Sequence, residues 1–267
     1  MSNQLTVNFP VPPDAAIPEG LQTIFLYLTI AATAGVLVWA LLMARNHRSA
    51  VPVLMVAAGF AAVPLETIVT FLGHAIHPAP GQIMMFNAVD RAIPWHIALG
   101  YAAGFGMFYL SCYPKMIADS FTNAFIWKAC AITAVCYSIG EAYPVSHGLW
   151  VYYDYQPLRW WSGTAPLTWN VLNTICMLMG ATLMHVTLPY LKGLKQLLIV
   201  VLGPVGALMG HMGAGFPMYN AMNTDWPHWV IELSGVASVL IAILLIWICT
   251  ILLTRRVAAG SAGLAAS

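Results

Sequence analysis

Three glutamates, Glu66, Glu141 and Glu232, lie inside or at the edge of long apolar runs. A carboxyl group beside lipid-spanning helices is costly to place, so each is a candidate functional residue. Apolar surroundings let a carboxyl keep its proton, and a protonated carboxyl near neutral pH is a general acid. Two acids in unlike environments can divide the work, one giving a proton and the other collecting it. Glu66 is expected to be the donor and Glu232 or Glu141 the acceptor, with His96 assisting. Asn87, Asp90, Trp95, Tyr152, Tyr153, Asp154, Asn170, Asn173 and His211 are the candidate substrate contacts.

The elements that must position these groups are apolar helices. Of 267 residues, 60% are hydrophobic and only 7% charged, against about a quarter charged in a water-soluble domain. An all-α polytopic membrane protein is expected, in one domain over residues 1–256 with a disordered tail at 257–267. A bilayer core needs about 20 apolar residues of helix. Seven segments qualify, roughly Leu21–Met43, Val51–Gly73, Ile93–Tyr113, Thr122–Gly140, Pro166–Leu188, Gln196–Gly215 and His228–Leu253. Residues 1–20 contain no Lys or Arg, so no cleavable signal is expected. A net charge of +1 gives no reason to expect nucleic acid. The five cysteines show no disulfide or zinc spacing and read as packing residues.

Lys and Arg concentrate on one set of connections: Arg45, Arg48, Lys115, Lys192, Lys195, Arg255 and Arg256, against Arg91 and Arg159 on the other. The positive-inside rule then places the N-terminus outside and the C-terminus in the cytoplasm, in a bacterial inner (plasma) membrane. Eight of the nine acids fall toward the outer side, Asp119 being the exception. Longer outer loops are one explanation, and a polar cavity opening outward is the other.

At about 1.5 Å of rise per residue, Glu66 sits roughly 10 Å and Glu232 roughly 6 Å below the outer level. His96 opens the third segment, Glu141 closes the fourth, Asn170 and Asn173 share a face of the fifth, and His211 is near the outer end of the sixth. Most of these groups are expected to converge on one cavity, with the first segment as peripheral packing. Each also has a plainer reading, as an ion pair, an interfacial acid or interhelical glue. The loop from Glu141 to Trp161 holds Tyr143, Trp150, Tyr152, Tyr153, Tyr155, Trp160 and Trp161. It is either an interfacial aromatic belt or a lid whose ring faces could stabilise a cation.

Other chemistries lack their residues. Gly235 to Leu253 has no Lys for a retinal. His74 and His77 are a sparse basis for a metal, and no metal or other cofactor is expected. There is no Gly-rich phosphate loop and no nucleophile elbow.

Pro64-Leu65-Glu66, Asn87, Pro94-Trp95-His96, and Gly140-Glu141 followed by Tyr152-Tyr153 resemble the membrane spirocyclase family of the avermectin pathway. The likeness covers about two fifths of the chain. It implies dehydration and cyclisation of a polyketide-like substrate without a redox cofactor. The layout is also similar to the seven-helix terpene cyclases of meroterpenoid pathways, which carry one acid in the second helix and one in the last, as Glu66 and Glu232 do here. Both point to a cyclase or dehydratase acting on a lipophilic small molecule drawn from the membrane. A sterol-type double-bond isomerase, or a protein that binds or transports a lipophile without changing it, would use the same polar layer. The oligomeric state is left open.

Overall fold

A computed structural model describes the backbone of residues 10–160 and 164–265, and side chains as far as Arg255. Trp161, Arg256 beyond its backbone, and the side chains of the tail expected to be disordered lie outside the described residues. The chain is all-α in its framework: α1 (Glu19–His47), α2 (Val51–Ala61), α3 (Leu65–Leu72), α4 (Trp95–Ile117), α5 (Asn123–Ser146), α6 (Leu167–Thr187), α7 (Ile199–Met222) and α8 (His228–Ala265). Four short strands join them: β1 (Ala75–Ile76), β2 (Met84–Ala88), β3 (Arg91–Pro94) and β4 (Val151–Tyr152). β2 and β3 form a hairpin, while β1 pairs antiparallel with β4, over seventy residues further along the chain.

Among the described residues, five spans are long and apolar enough to cross a membrane: Glu19–His47, Val51–Leu72, Leu167–Tyr190, Gly193–Met222 and His228–Arg255. That corrects the expected seven. α4 and α5 have the length, with 23 and 24 residues. Their mean hydropathy is diluted by residues such as His96, Tyr101 and Lys115 in α4, and Asn123, Lys128, Ser138 and Glu141 in α5. Helix ends differ from expectation too. Ile93 and Pro94 belong to β3, Glu141 lies inside α5, and α7 runs on to Met222, so His211 is in mid-helix.

The second span is broken at Ala62–Pro64 into α2 and α3. Proline has no N–H to give and its ring crowds the carbonyl four residues back. The chain accordingly tightens, with Leu65 N–H on the Ala62 carbonyl and Glu66 N–H on that of Val63. The break puts Glu66 in the first turn of a newly aimed helix.

The core centres on α6 and α7, flanked by α2, α4 and α8. Small residues let α6 and α7 approach closely. A Cβ on Gly206 would stand 2.6 Å from the Gly180 Cα, and one on Gly210 2.7 Å from the Ile175 carbonyl oxygen. Such contacts are how helices gain van der Waals packing where lipid supplies no hydrophobic drive. α4 packs on α1 and α2, whereas α5 packs on α6 and α8, so these two consecutive helices diverge.

The close approach gives a paired test. Gly206→Ala should destabilise the protein by about 1–3 kcal/mol, as overpacking does, because backbone rather than a flexible side chain is in the way. Gly213→Ala, whose Cβ meets nothing nearer than Leu245 Cδ1 at 4.0 Å, should cause no loss. Thermal melting in neutral detergent reads both. Equal melting of the two variants would show that α6 and α7 do not pack through Gly206.

Candidate functional site

The gap left between α4 and α5 is a cavity of about 680 Å³ with a mostly apolar lining. α4 presents one face to it, through Ile97, Gly100, Tyr101, Gly104, Phe108 and Ser111. α5 presents Lys128, Ile132, Cys136, Tyr137 and Glu141. Met107 and Ile132 line it and are still 54% and 52% exposed, so the cavity is a slot open sideways between the two helices. α1 is more than peripheral packing, since Phe25 and Thr29 line the slot as well.

The carboxyl groups gather at the strand-bearing end. Glu66 Oε1 is 2.8 Å from His77 Nε2, and the Tyr101 hydroxyl donates to Oε2 at 2.6 Å. The Glu66 side chain is 14% exposed. Glu141 is buried, and its Oε2 accepts from the Tyr152 hydroxyl at 2.9 Å. His96, Trp169 and Asn173 complete this end of the lining. His96 Nε2 and Trp169 Nε1 are buried and have no hydrogen-bond partner among the described residues. The His77 and His96 rings meet edge to face at 6.5 Å.

The strand ladder assembles this end. Pairing of Ala75 with Tyr152, and of Ile76 with Val151, brings the loop after α5 against the loop after α3. Trp150 then lies edge-on to Phe25 of α1 at 6.4 Å and to His77 at 6.1 Å, roofing the slot. The expected outward opening is therefore replaced by a covered end and a lateral mouth. The aromatic stretch is divided in its duties: Trp150 and Tyr152 face the cavity, while Tyr153 and Tyr155 tie the loop down.

Those ties involve several residues expected at the site. The Arg91 guanidinium donates to the Tyr153 hydroxyl at 2.7 Å, and the His74 ring stacks on Tyr153 at 5.5 Å. His74 Nδ1 is 3.3 Å from Asp154, and its Nε2 is 3.2 Å from Asn223 Oδ1. Gln156 donates to the carbonyls of Gly73 and Tyr153. Glu232 accepts from the Tyr155 hydroxyl at 2.7 Å and from the Leu158 N–H at 3.1 Å. Glu232 thus holds the loop from the α8 side and does not line the slot. Asn170 donates to Ser138 across the α5–α6 contact at 2.8 Å. His211 lies behind Trp169 and bonds Tyr219 at 3.1 Å. Asn87 and Asp90 are exposed and line a smaller surface pocket of about 310 Å³ with Arg91. Trp95 is 40% exposed and outside the slot.

Of the expected residues, the structure brings Glu66, Glu141, His96, Tyr152 and Asn173 onto one cavity and leaves the others around or apart from it. Sequence reasoning missed Tyr101, Tyr137 and Trp169 and gave His77 no acid partner. A signal was present for Tyr101: Ile97, Tyr101, Gly104, Phe108 and Ser111 follow a helical face on which Gly100 and Gly104 leave room. Among the described residues, no group of three His, Cys, Asp or Glu is placed to hold a metal ion.

No protein-family model, curated protein or solved structure matches the chain.

The loop's anchorage depends on pH. Burial holds His74 below its ordinary value of 6.5, outweighing Asn223 and Asp154, which favour its charged form, while Arg91 nearby opposes it. A released loop would take up a proton on His74 first. The anchorage is therefore fully present above 6.5 and is lost as the pH falls from there toward the folded value. Amide hydrogen exchange over Val151–Leu158, corrected for intrinsic rates, should show less protection at pH about 5.5 than at about 7.5. His74→Asn should remove that difference. Equal protection at both pH values in the unaltered protein would show that His74 does not gate the loop.

Proposed function

We propose that this chain is an integral membrane enzyme that moves a proton on and off a lipophilic small molecule, as a cyclase, dehydratase or isomerase. The observation that carries the reading is the pair Glu66 and Glu141 at one end of an apolar slot. α4 and α5 are taken to lie within the membrane as well, with the slot's mouth toward lipid. The Lys and Arg asymmetry favours an orientation with the strand-bearing end outside.

Glu66 is the donor because His77, 2.8 Å away, can restore its proton after each turnover. Protonation of a double bond, epoxide or hydroxyl would leave a cation beside the rings of Trp150, Tyr137 and Trp169, whose faces stabilise positive charge. Glu141 then collects a proton from a neighbouring carbon of the substrate. Isomerisation or cyclisation leaves the mass unchanged, and dehydration lowers it by one water. Tyr101 and Tyr152 orient the two carboxyls, and the loop held by Glu232 keeps water out of the covered end.

Resemblance to the membrane spirocyclases agrees with this reading through Glu66, His96, Glu141 and Tyr152. Of the two expected acceptors, Glu232 and Glu141, this reading takes Glu141, which lines the slot.

The test is conversion of a lipid extract from native membranes by purified protein, followed by mass spectrometry. Wild type should deplete one lipophilic species and produce another of equal mass or lighter by one water. Glu66→Gln and Glu141→Gln should each lower the rate by about 10²–10⁴-fold while leaving thermal melting close to wild type. Full turnover by both glutamine variants would end the acid/base assignment. Large melting losses with activity intact would make the two acids structural.

A further inference from the structure

The slot does not end with the carboxyl groups. It continues along α5 to Lys128, and the helix rise from Lys128 to Glu141 is about 20 Å. Its lining is thus polarised, with acids at one end, an ammonium at the other, and Ala129, Ile132, Met107 and Phe108 between them.

Lys128 is exposed, and no carboxylate among the described residues lies within ion-pair distance of it. The acid of the adjacent connection, Asp119, is instead 3.2 Å from His185 Nε2. A second ammonium stands close by: Lys115 Nζ lies 5.9 Å from the centre of the Phe125 ring. Phe125 lines the slot one turn before Lys128 and on the same face of α5. Two cations therefore flank this mouth, and neither forms an ion pair among the described residues.

We propose that the slot takes a single-chain lipid carrying a carboxylate, with its head at Lys128 and Lys115 and its chain running toward Glu66 and Glu141. This rests on the reading of the slot as the substrate site and names the class of substrate it would take. The orientation follows from charge. A carboxylate at the covered end would face two acids, and at the open end it meets two ammoniums. The sideways opening lets a chain slide in from the bilayer while its head stays at the membrane surface. A lysine there can bury its methylene stem in the apolar wall and keep its charge at the interface.

A carboxylate suits this mouth better than a phosphate. Among the described residues no arginine lines the slot, so the head group meets two ammonium point charges, enough to match a singly charged carboxylate. The first turn of α5 is not an open anion cradle either, because the Thr122 hydroxyl accepts the Phe125 N–H at 3.2 Å. The bond that reacts would lie far along the chain from the head, at the distance that separates Lys128 from Glu141.

Dibromostearate and the uncharged dibromostearyl alcohol test the assignment, since bromine on the chain quenches the fluorescence of Trp150 and Trp169 at the covered end. In neutral detergent, wild type should bind the acid about fivefold or more tightly than the alcohol, the range of an interfacial ion pair. Lys128→Gln should lose most of that preference and leave alcohol binding unchanged, and Lys115→Gln should lose a smaller part. Equal binding of acid and alcohol by wild type would overturn the proposal. So would equal weakening of both ligands by Lys128→Gln, which would mean the lysine merely shapes the slot. Tighter binding of dodecyl phosphate than of dodecanoate would overturn the choice of carboxylate. Glu66→Gln with Glu141→Gln should keep the preference for acid. If it does so while wild type forms no product from any lipid, the catalytic reading fails and the head-group assignment stands.

Discussion

The Glu66 carboxyl group must find partners inside an apolar bundle, and much of the structure follows from that constraint. A buried charge or an unsatisfied carboxyl is expensive, so such groups occur only where donors converge. Here the donors come from different parts of the chain: Tyr101 from α4 and His77 from the loop after β1. The loop reaches Glu66 because β1 is pinned by β4, and the same pairing delivers Tyr152 to Glu141. One short ladder therefore sets both carboxyl environments. The residues that hold the surrounding loop, His74, Arg91, Gln156 and Glu232, act on the site at one remove.

The slot reflects a second constraint, the divergence of α4 and α5. Two helices joined by a short connection would ordinarily pack as neighbours. α4 is held instead by α2, where Gly59 lies so near Tyr101 that a Cβ there would stand 2.9 Å from the Tyr101 carbonyl oxygen. α5 is drawn toward α6, with the Asn170–Ser138 bond across their contact. The wedge between them exposes apolar side chains that lipid, or a lipophilic ligand, must cover. The same geometry explains why α4 and α5 are less apolar than the other long helices, since their polar residues include those that line the slot.

How much of this was readable from the residues depended on which coordinate mattered. Depth along a helix follows from counting residues, and four of the groups it placed at one level, Glu66, His96, Glu141 and Asn173, line the slot. Direction around the helix and the position of the helix in the bundle do not follow from counting. Glu232 and His211 were accordingly grouped with the others, although one holds a loop and the other packs behind Trp169. His77 could not be assigned to Glu66 because the contact depends on a two-residue strand pairing with a segment over seventy residues away. Tyr101 carries no mark in the sequence that separates it from the other aromatics of a membrane helix. The overall helical framework was legible because hydrophobic runs are long, whereas four short strands and the Pro64 break carry little periodic signal.

The central claim is that the gap between α4 and α5 holds a lipid chain next to Glu66 and Glu141. Gly104 sits at its middle, where an added Cβ would meet Met177 Cε at 3.7 Å and the Tyr137 hydroxyl at 3.8 Å, with no backbone in the way. Gly104→Trp should therefore fill the slot without disturbing the fold. Native mass spectrometry after release from a neutral detergent reads occupancy directly. Wild type is predicted to retain a single-chain lipid, and Gly104→Trp to be free of it while melting as wild type does. A lipid-free wild type, or equal lipid occupancy in a well-folded Gly104→Trp variant, would contradict the account.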